Sequence, residues 1–266
     1  MLLSHFLLVA LLLSKKCANG AMQVTHSLAR LASLACIGGK MIYIPEKEIE
    51  DWKELLADPD KQWKDGYSAK ELAKYWHGKN EIPKEIHQLI HKGVNIPRDD
   101  IEIIFAIPEY KVDIPGGNRP SQNDLFLLLK TGASTGVMMI EAKCMESFGP
   151  IVGDWKNDEE LNNGKKTRLD YLSKLLEING KNIDKIRYQL LHRTASAIIM
   201  AKKIKCDFAI MAVQSFRFSE ESFNDYTSFL ELLALDARKN GICGPIIISG
   251  IPTYFCWIQI FYNGGM

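Results

Sequence analysis

Two apolar runs, LFLLL and VMMI, stand on either side of the short turn segment TGAST, residues 131–135, and the polar stretch PSQND leads into the first. Apolar runs of this length around a Gly-containing turn predict a β-hairpin, with strands at 124–130 and 137–143. Opposed residues in a hairpin share one index sum, and a sum of 265 centres the turn between Gly132 and Ala133 and sets Asp124 across from Glu141. Cross-strand partners leave the sheet on the same face, as do residues two apart on one strand, so Lys143 joins the two acids. Three charges therefore converge at one end of a strand pair otherwise built for burial. A slip of one residue would send them to the opposite face.

Two carboxylates and an ammonium at a strand end suit phosphodiester hydrolysis. Mg²⁺ takes oxygen ligands, typically one or two carboxylates with water and substrate phosphate completing the shell. Mg²⁺ is therefore the expected cofactor, with Mn²⁺ as a substitute; Lys143 would orient the attacking water or neutralise developing charge. The pattern acid-x-Lys also occurs at Asp51-Trp-Lys53, Glu109-Tyr-Lys111 and Asp154-Trp-Lys156, but only Glu141-Ala142-Lys143 ends a long apolar strand with an acid opposite. A plain ion pair closing a hairpin, which contributes little stability, fits the hairpin equally well when it is taken alone.

The segment NIDKIRYQLLHRTASAIIMAKKIK predicts a long helix over about 183–204. Leu190, Leu191, Thr194, Ala197, Ile198 and Ala201 make one apolar side, while Gln189, Arg193 and Ser196 recur at helical spacing on another, with His192 beside them. Gln189 suits a water or a phosphate oxygen, and the planar fork of Arg193 suits phosphate. Arg187 and His192 stand in the same stretch as further substrate-binding candidates. Net charge is +1, yet residues 165–205 hold 11 Lys or Arg against 3 acids, a local excess that suits a nucleic-acid partner, DNA first. The alternative is an ordinary solvated lysine face in which Gln189 and His192 cap backbone groups and Arg193 lies at the surface. No GxxxxGK[ST] motif is present, so no ATP site is expected.

At 266 residues and 47% hydrophobic content the chain can bury one substantial core. The first 40 residues read differently from the rest. Their apolar segment, residues 2–13, is too short for a stable membrane span; its length suits a signal peptide, but its lysines follow it instead of preceding it. Six cysteines without a CxxC pair, five after a cleavage at Gly20, do not form a secreted disulfide framework. Residues 1–40 are thus expected to be an extension or start-site artefact of a cytoplasmic protein, with export as the alternative. Residues 41–266 are expected to form one domain, helical over 41–100 and sheet-based over 101–266; no feature sets an oligomeric state. Expected elements are an amphipathic helix over 46–58, a capping box Ser68 to Glu71, a helix from Pro83 to Gly93, and a strand at 101–107 broken by Pro108. After the hairpin come helices near 167–178 and 183–204, the strand FAIMAVQSF, a helix near 220–238 and two final strands. Strand, helices, strand in that order implies a right-handed crossover.

Asp124, the hairpin, Glu141-Ala142-Lys143 and the helix carrying Gln189 together resemble the PD-(D/E)xK nuclease superfamily. More narrowly, RPSQNDLF, EAK, FGPIVGDW and RYQLLHRTASA resemble an uncharacterised bacterial family with this core, over about residues 42–262. The resemblance implies an α/β (mixed α+β) fold with a restriction-endonuclease-like core, a central mixed β-sheet flanked by helices. It implies metal held by Asp124, Glu141 and the backbone carbonyl of Ala142, water assisted by Lys143, and Gln189 as an accessory residue. Glu71 is the matching position for a further acid on a helix before the core. Asn123 stands where the superfamily has proline before the aspartate. Two classes of function follow: a metal-dependent DNA nuclease, or a nucleic-acid-binding or protein-interaction module that keeps the fold without turnover.

Overall fold

The computed structural model describes residues 48–79, 81–94, 101–157 and 163–261, all within one compact unit. The expectation for residues 1–40 lies outside the described residues. Six strands form one mixed sheet: β1 (Ile101–Val112), β2 (Ser121–Thr131), β3 (Ser134–Cys144), β4 (Phe208–Arg217), β5 (Gly241–Ile248) and β6 (Ile251–Gln259). Their spatial order is β1-β2-β3-β4-β6-β5. The first three strands form an antiparallel meander, β3, β4 and β6 run parallel, and β5 returns antiparallel on the edge.

The central strands read as near-continuous apolar runs because both faces of the sheet are covered. Leu125, Leu127, Leu129, Met138 and Ile140 pack with Trp76 of α1 (Ser68–Trp76) and Ile86 and Ile90 of α2 (Lys84–Val94). Phe126, Val137 and Met139 pack on the other face with the second helical layer. That layer holds α3 (Val152–Asn157), α4 (Asn163–Leu175), α5 (Tyr188–Ile204) and α6 (Glu220–Leu232). The chain from β3 through α3, α4 and α5 returns to the parallel β4, and α5 lies against both strands. Close approach is needed where they meet: a side chain on Gly136 would overlap the ring of Phe208 on β4.

Several local expectations are corrected. Pro108 does not end β1, which runs on to Val112 with Pro108 opposite Leu125. β1 is an edge strand, where the amide that proline lacks has no ladder partner to lose. The helix expected over 46–58 is only a 3₁₀ segment, Ile49–Leu55, followed by a one-turn helix, Pro59–Gln62. Pro59 pushes the residue before it out of the helical region, and Asp58 caps the new start instead by accepting from Lys61 N. The Ser68 capping box does not form, because Tyr67 is the N-cap. Glu71 reaches the amide of Gly66 at 2.9 Å, while Ser68 N donates to Glu146 Oε1, also at 2.9 Å. α5 begins at Tyr188, five residues later than expected, because Asp184 and Ile186 give their carbonyls to Gly153 N and Val152 N. No helix among the described residues is long and apolar enough to cross a membrane.

Candidate active site

The hairpin adopts the expected register, with Leu125 opposite Ile140, Phe126 opposite Met139, and Thr131 opposite Ser134 at the turn. Beyond Leu125 the Asp124 side chain takes over from the ladder: its Oδ2 accepts from Ala142 N at 2.7 Å. A carboxylate bonded to a backbone amide is anchored to the strand that carries Glu141 and Lys143. Asp124, Glu141 and Lys143 therefore meet at one strand end, on the face covered by α5.

Glu141 is buried to 2% exposure, and both of its oxygens have partners. Oε1 accepts from Lys143 Nζ at 2.6 Å, and Oε2 accepts from Arg193 Nε in a short ion pair. Arg193 Nη2 is also 3.8 Å from Asp124 Oδ1, and Nη1 donates to Ser121 Oγ at 3.2 Å. Burial alone would raise the Glu141 pKa, but the charges of Arg193 and Lys143 outweigh it and hold the carboxyl below its ordinary value. Asp124 is pushed up to about 7 by burial and then by the Glu141 charge.

A third acid faces these two. Glu109 on β1 lies between the pairs Pro108 with Leu125 and Tyr110 with Asn123, and hence across from Asp124. Burial and the Asp124 charge push it up to about 8, against the hydrogen bond that Gln122 Nε2 donates to its Oε2 at 2.7 Å. Its backbone is left-handed, with φ of 51°, a conformation that costs free energy in a residue with a side chain and that concentrates at functional sites. Glu109, Asp124 and Glu141 thus form a row across three neighbouring strands, opposed by two cations, Lys143 and Arg193.

His192 is burial-depressed well below its ordinary pKa, with the Arg193 charge adding to the effect, so its ring is neutral. Its Nδ1 is 2.8 Å from Ser121 Oγ and 3.4 Å from Arg193 Nη1. A guanidinium can only donate, so Nδ1 is the acceptor of the ring and Nε2 carries the proton. Ser196 Oγ, 2.9 Å from Ser121 Oγ, completes a neutral polar patch beside the guanidinium.

The remaining expected site residues are placed less uniformly. Gln189 is half-buried one turn before Arg193 and bonds neither carboxylate. Arg187 is held by Asp225, Glu221 and the Gly149 carbonyl, which fastens the start of α5 to α6. Arg193 is directed at carboxylates inside the protein, so the surface reading of it is set aside. Glu71 belongs to the other face of the sheet, where it lines a cavity of about 500 Å³ with Asp65, Tyr67, Cys144, Phe216 and Arg217. The basic stretch divides by residue type. Arg168, Arg187 and Arg193 are all engaged internally, Arg168 on the carbonyls of Ile114 and Arg119, whereas Lys166, Lys174, Lys181, Lys185, Lys202, Lys203 and Lys205 are exposed.

Sequence reasoning passed over Glu109, Ser121 and Gln122. A signal for Glu109 was present, because β1 and β2 share an index sum of 233, as in 110 with 123, centred between Gly116 and Gly117. That loop is held tightly: a side chain on Gly116, whose φ is +83°, would overlap the backbone of Gly164 and Arg168.

Among the described residues no group of three or more His, Cys, Asp or Glu is arranged to hold a metal ion. The donor chemistry nevertheless fits Mg²⁺ or Mn²⁺. All candidate donors are oxygens, from Asp124, Glu141 and the Ala142 carbonyl, and the acids Asp124 and Glu109 are raised to about 7 and about 8 by burial and then by a neighbouring carboxylate. A family profile described as "Domain of unknown function (DUF6946)" matches residues 45–261. No curated protein and no solved structure matches the chain.

Proposed function

The chain belongs to that family of unknown function, and we propose that its α5-covered strand end is the centre of a metal-dependent phosphodiester hydrolase acting on nucleic acid, DNA first, on a PD-(D/E)xK, restriction-endonuclease-like core. One observation carries the proposal: Asp124, Glu141 and Lys143 converge at a single strand end, with Asp124 bonded to the amide between the other two. The mixed sheet flanked by helices supports the same reading. Asp124, Glu141 and the Ala142 carbonyl would hold Mg²⁺ or Mn²⁺. When bound, the ion would acidify a water and stabilise charge on the phosphate.

The chain's own groups have separate tasks. Asp124 ties β2 to β3 through Ala142 N, which fixes the spacing of the two carboxylates. Lys143, only 5% exposed, would set its ammonium where the attacking water or the phosphate oxygen becomes negative. Gln189, half-buried one turn from Arg193, would serve as an accessory donor. The exposed lysines of α4, α5 and the turn between them supply the sequence-independent attraction for a phosphate backbone. A protein with this substrate is proposed to work in the cytoplasm.

A second reading is favoured by one specific contact. Arg193 sits on the Glu141 oxygen that a metal would need, which suits a binding module without turnover. Incubating the full chain with labelled single- and double-stranded DNA and RNA, with Mg²⁺, Mn²⁺ or EDTA, separates the two. The expected result is metal-dependent cleavage that Glu141→Gln and Lys143→Ala abolish while circular dichroism shows both variants folded. Salt-sensitive binding without cleavage under every condition would establish the module instead.

A further inference from the structure

Glu141 is the carboxylate on which both buried cations converge. Both oxygens have protein donors, and Arg193 reaches Asp124 with the same guanidinium that pairs with Glu141. Arg193 is 7% exposed, so little solvent screens its charge. A divalent ion on the same two carboxylates would lie against a buried like charge, which disfavours having both at once. Lys143 is placed differently: it meets one carboxylate only, and its ammonium also lies over the Phe148 ring at 5.0 Å.

We propose that Arg193 is the resident cation of the metal-free site, bridging Glu141 and Asp124, and that metal entry moves its guanidinium off both carboxylates toward the Ser121 and His192 side, where it can meet a substrate phosphate. The inference rests on the metal-dependent reading given above. The geometry supplies a landing place. Nη1 of Arg193 already donates to Ser121 Oγ at 3.2 Å and lies 3.4 Å from the neutral Nδ1 of His192. Both acceptors are uncharged, so a guanidinium that leaves the acids keeps hydrogen-bond partners without holding the acids' charge. Its planar fork then has free donors for an anionic oxygen, the chemistry in which arginine exceeds lysine. The same device balances the charge of buried Glu141 and half-buried Asp124.

Calorimetric titration of the full chain with MnCl₂, and with MgCl₂ in parallel, tests this without any reading of activity. Wild type, Arg193→Gln, Arg193→Lys and Glu141→Gln are compared, each with a thermal melt in EDTA and in Mn²⁺. Arg193→Gln is expected to bind Mn²⁺ about tenfold more tightly than wild type, a change of about 1.4 kcal/mol. Its melting temperature should be lower than that of wild type in EDTA and should rise more on adding Mn²⁺, because the metal replaces the missing charge. Arg193→Lys, which keeps the charge but cannot bridge two carboxylates, should bind Mn²⁺ more tightly than wild type by a smaller factor, and it decides the question should the glutamine variant not fold. Glu141→Gln should lose the site. Equal or weaker metal binding by both Arg193 variants, beside a wild type that binds, would overturn the inference and leave the metal site standing. Absence of binding in wild type and in both Arg193 variants would overturn the metal reading itself, and the inference with it.

Discussion

At the carboxyl end of β3 the two faces of the sheet differ by one residue step, and they handle buried polarity in opposite ways. Toward α1 and α2, with Glu71 at the cavity set aside, two fully buried polar groups are neutral amides: Asn123 donates to the carbonyls of Tyr110 and Ser121, and Gln214 accepts from Trp76 Nε1 at 2.9 Å. Each amide leaves one end, Asn123 Oδ1 and Gln214 Nε2, without a hydrogen-bond partner among the described residues. Toward α5 the groups are charged, and every oxygen of Glu141 is met. A half-satisfied amide costs about 1–3 kcal/mol, which a well-packed face can carry. An unpaired buried charge costs several times more, so charges on the α5 face must be balanced one against another. Both faces pack a core, and the α5 face adds acids whose charge is set by burial and by the neighbouring cations.

The largest effect that separates the faces should come from Leu127→Ala, on the α1–α2 side. Chemical denaturation should show a loss of about 3 kcal/mol from the cavity, with the Mn²⁺ affinity of the folded protein unchanged. Altered metal affinity in that variant would mean that the faces are coupled.

A smaller effect is expected from pH. Glu109 and Asp124 have folded-state pKa values raised to about 8 and about 7, so folding takes up protons at both groups. The stability this provides is full below the ordinary carboxylate range and is lost as pH climbs through about 7 and then about 8. In EDTA the melting temperature should therefore fall between about pH 6 and pH 8.5, and Glu109→Gln should flatten the upper part of that fall. Melts of both proteins across this range check it; identical slopes would separate Glu109 from the cluster. The smallest effect belongs to Gln122→Ala, which removes one half-buried hydrogen bond to Glu109 and should cost about 1 kcal/mol by denaturation.

Much of this was legible in the chain because hairpin geometry is arithmetic. The turn centre at Gly132 and Ala133 set the register, and the register set Asp124 across from Glu141 before any packing was known. The same arithmetic around Gly116 and Gly117 sets Glu109 across from Asp124, but a proline reads locally as a strand end and hides that β1 runs past it. Helix starts are not legible where neighbours in space, not in sequence, satisfy the backbone: residues 150–153 take up the turn before α5. Arg193 was legible as a functional side chain on the correct helix, yet not as the partner of Glu141.

By itself the sequence determined the alternation of faces, the hairpin register and the residues that could carry charge into the core, since each depends on neighbours a few positions apart. Which charges meet was decided only by the tertiary structure. Arg193 reaches Glu141 across 52 positions because α5 crosses β3, and burial under that helix raises Asp124 and Glu109 while the two cations hold Glu141 ionised. Pairing of that kind depends on where solvent is excluded, and exclusion is a property of the packed layers, which no local stretch of chain contains.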